Sequence, residues 1–81
     1  MKQVQQHIEV ARGLLVLIES DAEAFVKYLE TTQDTPEAKL QVQQRLKART
    51  EENLKRLDIT MARLRQSALQ LVSSANPNPS L

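Results

Sequence analysis

The chain has no cysteine, no tryptophan, one glycine and one histidine in 81 residues. Without cysteine, neither a disulfide nor a thiolate metal site can form, and the redox state of the compartment is left open. His7 cannot hold zinc alone, because such sites draw three or four ligands from the protein. No metal site is therefore expected. A nucleophile–base–acid triad would also have to use His7, which lies far along the chain from Asp21, so no catalytic set is expected either. A phosphate-cradling loop needs several glycines and there is only Gly13. The aromatic residues are Phe25 and Tyr28, too few for a base-stacking surface. The longest apolar run, Leu14 to Ile18, is too short to span a bilayer and lacks the flanks of a secretory signal. A cytoplasmic protein that does not enter membranes is the expectation.

What is present favours helix: Gln, Leu, Ala, Glu, Lys and Arg dominate, and proline occurs only at 36, 77 and 79. A chain this short buries only about 60% of its unfolded surface, so its stability is marginal unless something adds to the core. With disulfides and metals excluded, association is the remaining route. The formal charge is +1 but is unevenly spread. Residues 1–35 carry three basic and six acidic side chains, and residues 36–81 carry eight and four. The halves attract one another, which suits an acidic helix lying antiparallel to a basic one.

Residues 2–31 read as one helix. Val4, Ile8, Ala11, Leu15, Ile18, Ala22, Phe25 and Leu29 form a heptad stripe, and His7, Val10, Leu14, Leu17, Asp21, Ala24 and Tyr28 form a second beside it. Together they are wider than one partner helix can cover, which predicts at least two neighbours. His7 ends the second stripe and reads as a surface or interface residue. Residues 32–35 form a turn, in which Thr35 is a natural N-cap, Pro36 fits the first helical position and Glu37 suits the positive end of the helix dipole. So short a link makes the helices antiparallel neighbours. A second helix runs over 36–73, with a stripe of Leu54, Leu57, Met61, Leu64, Ala68 and Leu71 in its later half. Residues 74–81 have no periodicity and read as a flexible tail.

The fold expected is thus all-α: a long antiparallel hairpin over residues 1–73 that dimerises into a four-helix bundle. Folding about residue 33 pairs positions whose numbers sum to about 67, which faces Leu14–Ile18 with the polar stretch 49–53. That stretch cannot bury them, and Leu69 to Val72 extend past the start of the first helix. Both mismatches call for a second copy. Leu14, Leu17, Ile18 and Phe25 are the expected heart of the interface, against Leu57, Met61, Leu64 and Leu71 of the second helix. The function read from these features is self-association or protein interaction, with a homodimer favoured and a further protein partner unidentified.

Asp21 sits in the middle of the apolar face, where a carboxylate is costly unless paired. Pairing with a base on the second helix would fix the hairpin's register, and Arg45, Lys47 and Arg49 are within reach. The other readings make Asp21 a ligand-binding group or leave it simply exposed in the assembly. The basic residues from Arg45 to Arg65 are interrupted by Glu51, Glu52 and Asp58, so they read as a solvated face with pairs Glu51–Lys55 and Glu52–Arg56. A small RNA-binding helical dimer is the weakest reading, and nucleic acid is not an expected partner.

The stretch Leu17-Ile18-Glu19-Ser20-Asp21-Ala22-Glu23-Ala24-Phe25 resembles a segment of the formiminotransferase-cyclodeaminase and methenyltetrahydrofolate cyclohydrolase family, whose members carry a similar Asp-Ala-Glu-Ala-Phe run on a core helix. The likeness extends in outline over residues 14–72, with its distinctive part at 21–25. It implies a dimerising all-helical bundle, and a reduced cyclodeaminase-like protein that would bind tetrahydrofolate as its only cofactor through Asp21. The family's glycine- and serine-rich segment has no counterpart here, and the chain is less than half the family's usual length.

Overall fold

A computed structural model describes residues 2–74, which form two helices and no strand. Helix α1 spans Lys2–Thr31 and α2 spans Pro36–Ser74. At about 1.5 Å per residue they are roughly 45 and 58 Å long, so the end of α2 overhangs the start of α1. The second helix runs one residue beyond the expected 73, and Ser74 Oγ donates to the Leu71 carbonyl at 3.2 Å. The rest of the expected tail, residues 75–81, lies outside the described residues.

The turn forms as its residue types dictate. Thr35 Oγ1 accepts from the Ala38 amide at 3.2 Å, satisfying one of the free donors at the start of α2. Pro36 occupies the first helical position and Glu37 the first turn. Thr32 closes α1 by donating its amide to the Tyr28 carbonyl at 2.8 Å, and its Oγ1 accepts from the Asp34 amide at 3.0 Å. Tyr28 Oη donates to Asp34 Oδ2 at 2.7 Å, tying the turn back to the last turn of α1. No residue here needs a left-handed backbone, so the link does without glycine. Gly13 lies in α1 where an added Cβ would meet nothing within 4 Å.

The two helices pack against each other along one seam. On α1 the least exposed positions are Val4, His7, Ala11, Leu14, Ile18, Asp21, Phe25 and Tyr28, with Ile8 beside them. Their spacing alternates three and four, and they take every other member of each expected stripe. The members left over lie on the two sides of the seam. On α2 the corresponding positions are Val42, Leu46, Thr50, Asn53, Leu57, Thr60, Leu64 and Ser67. Leu54 and Met61, expected in the α2 stripe, stand outside the seam and are about half exposed, at 46% and 48%. The spacing Val42, Leu46, Thr50 contains two consecutive steps of four, a local insertion in the heptad pattern.

The register also differs from the expected one. Asp21 meets Arg49, positions that sum to 70, and Val4 and Ser67, which line one depression, sum to 71. The shift from 67 is about one helical turn. It brings Leu14 to the level of Leu57 rather than Asn53, and Leu14 is accordingly 7% exposed. The expectation that the polar stretch leaves this leucine uncovered is corrected on that ground. Leu15, Val16 and Leu17 remain exposed because they stand on the flanks and outer face of α1, not because the polar stretch lies opposite them.

Candidate functional site

Asp21 occupies the seam of α1 because the three-four spacing that carries Leu14 and Ile18 inward carries it inward too. Its side chain is 12% exposed, and Arg49 comes to it from α2. Arg49 Nη2 donates to Oδ1 at 2.9 Å, and Nε lies 2.9 Å from Oδ2. The two contacts differ in kind. Oδ2 is buried and, although charge-paired at that distance, accepts no well-directed hydrogen bond. The fork of the guanidinium therefore grips the carboxylate by one aligned bond and one ionic contact. Arg49 is 63% exposed, so most of its charge stays in water and only the carboxylate bears a serious desolvation cost. Both oxygens are turned to the same arginine. Such an arrangement can hold two helices at one relative height.

Of the three bases in reach, only Arg49 takes this role. Arg45 and Lys47 are exposed and form no ion pair among the described residues. Arg45 lies on the flank of α2 that also carries Arg49, between the depressions of Gln41, Gln44 and Ala48 and of Val42 and Leu46, and Lys47, two residues and about 200° further round, turns to the opposite flank. Glu52 and Arg56 form the expected exposed pair at 3.7 Å, whereas Glu51 and Lys55 do not pair. Neither interaction bears much energy in water.

The residues expected at an oligomer interface separate into two groups. Leu14 is buried within the hairpin, and Ile18, Phe25, Leu57 and Leu64 are half-buried along the seam. Leu17, Met61 and Leu71 are exposed. Phe25 stacks on Tyr28 with ring centroids 6.3 Å apart, which extends the seam towards the turn. His7 is half-buried near the open end, at a depression it shares with Val10 and Arg63.

Two buried polar residues were invisible to a search for apolar periodicity. Asn53 and Thr60 are 8% and 7% exposed. Thr60 Oγ1 is satisfied by the Arg56 carbonyl at 2.8 Å, whereas the Asn53 amide makes no hydrogen bond within the hairpin. The signal that finds them is the three-four spacing Thr50, Asn53, Leu57, Thr60, Leu64, Ser67, counted without regard to hydrophobicity. Tyr28 is held by the turn between the helices. Its phenol is raised above the ordinary value of 10.0, first by the hydrogen bond to Asp34 and then by desolvation, with the Thr32 hydroxyl opposing.

Among the described residues no group of acidic and histidine side chains could hold a metal, and no helix is long and apolar enough to cross a membrane. Compared with protein-family models, with curated proteins and with solved structures, the chain matches none.

Proposed function

We infer that the chain is a non-catalytic self-association module, a helical hairpin that pairs with a second copy to complete a four-helix bundle. One observation carries this reading. Among the described residues thirteen large apolar side chains are exposed, whereas only Ala11 and Leu14 form a buried apolar interior and no side chain is fully buried. A hairpin of two helices offers each side chain one neighbour, and α1 presents an apolar face wider than that neighbour. Burying a half-exposed leucine contributes about 1 kcal/mol. A dozen such side chains across two copies supply about 12 kcal/mol, enough to meet most of the roughly 4–15 kcal/mol range that association costs. In this reading Asp21 and Arg49 set the height of one helix against the other, so that each copy presents the same surface. The hold of Arg49 on both carboxylate oxygens, by one hydrogen bond and one ionic contact, supports that role.

Thermal unfolding at two concentrations tests the reading. A dimer whose chains unfold as they separate melts at a temperature that rises with concentration. The expected outcome is a rise of several degrees over a hundredfold increase. A melting temperature independent of concentration, with a well-folded monomer, would remove the proposal.

A further inference from the structure

The two sides of the hairpin are unlike. Val10 and Arg63 line one depression, and Gln3 and Gln70 line another, so these positions of α1 and α2 share a side. Seven-residue spacing places Leu17 and Ala24 on that side of α1 and Arg56 on that side of α2. The residues on the far side of each seam then share the opposite side of an antiparallel pair. There α1 presents Leu15, Ala22 and Leu29 with Val26, and α2 presents Leu54 and Met61, every one of them exposed. From these facts the geometry points to this second side as the surface that receives a second copy, same side to same side, about a two-fold axis. The inference rests on the self-association proposed above and adds which side is used.

Charge does not separate the two sides. The apolar side is bordered by Arg12, Lys27, Lys47 and Arg65 and by Glu19, Glu23, Glu30, Glu51 and Asp58. The other side carries Arg45, Arg49, Arg56 and Arg63 against Glu9, Asp21 and Glu52, with Arg49 and Arg56 already paired within the hairpin. Area decides for the apolar side. Leu15, Val26, Leu29, Leu54 and Met61 are each about half exposed, with values from 46% to 54%. At about 90 Å² apiece, with Ala22 and the half-buried seam beside them, each copy supplies about 500–600 Å² of apolar surface. Two copies reach the roughly 1,000 Å² expected of a specific interface. On this assignment Met61 belongs to the interface and Leu17 lies outside it.

The absence of cysteine provides a mild test. Ala22→Cys places a thiol on the apolar side, and Ser20→Cys places one on the arginine side, both at exposed helical positions. Maleimide labelling rates are measured at associating concentration, each divided by its rate in urea, alongside the sedimentation mass of each variant and of the unmodified chain. Ala22→Cys should react at least tenfold more slowly than Ser20→Cys, with the difference vanishing on dilution to monomer. Protection of Ser20→Cys instead, or equal rates in a confirmed dimer, overturns the assignment of the side and leaves self-association standing. A monomeric unmodified chain overturns both.

Discussion

The two helices contribute unequal halves to one seam. From α1 come Val4, Ala11, Leu14, Ile18 and Phe25, interrupted by His7 and Asp21. From α2 come Leu46, Leu57 and Leu64, alternating with Thr50, Asn53, Thr60 and Ser67. The first helix has more apolar surface than the seam can use, and the second has less than the seam could take. Within the pair that imbalance cannot be corrected, because apolar residues displaced to the flanks of α1 have no third element to meet. The lesson is that a polar seam position on one helix transfers apolar surface on its neighbour to the outside, where a second molecule can use it.

The sharpest way to break the comparison is at its single charged point of agreement. Arg49→Ala leaves the Asp21 carboxylate in the seam without a partner, and should cost about 2–3 kcal/mol in urea denaturation. Asp21→Asn leaves Arg49, already mostly in water, free to turn away, and should cost only about 1 kcal/mol. The asymmetry is the test. Equal losses would show that the pair is held as loosely as a surface ion pair.

How much of this could be read in the sequence depends on what each residue signals. Thr35, Pro36 and Glu37 announce the start of α2 through local chemistry, and both helices and the antiparallel turn follow without tertiary information. Asp21 is legible as a carboxylate on an apolar face, and Arg49 as one of three candidate partners. The seam is not legible, because α1 carries two adjacent heptad stripes of similar hydrophobicity. Which members turn inward depends on α2, whose seam includes Thr50, Asn53 and Thr60, residues that an apolar count passes over. The register shifted for the same reason: a turn of four residues leaves the relative height of the helices to the Asp21–Arg49 pair and to the level of Leu14 with Leu57.

A smaller effect is expected from supplying α2 with what it lacks. Asn53→Leu exchanges a polar seam side chain whose amide atoms still reach water for an apolar one, and should stabilise the protein by about 1 kcal/mol in the same denaturation series. A loss of stability would mean that the amide has a partner in the assembled protein and serves the assembly.

The smallest effect belongs to the turn, where Tyr28 at the end of α1 is bonded to Asp34 of the link. Tyr28 is the only tyrosine, so its absorbance titration reports the Asp34 hydrogen bond directly. The midpoint should lie above 10.0 and fall towards it in Asp34→Ala. Because the folded value is raised, the folded state holds the proton more tightly than the unfolded chain does. This contribution to stability is full below pH about 10 and is lost as pH rises through the folded value. A midpoint at or below 10.0 would show that the contact does not persist in solution.

Sedimentation equilibrium of the unmodified chain tests the central claim most directly. The account predicts a mass twice the 9.2 kDa of one chain at micromolar concentration, shifting towards one chain on dilution. A folded, helical species that remains at 9.2 kDa at every concentration would contradict it, because thirteen exposed apolar side chains would then stand in water with nothing to cover them.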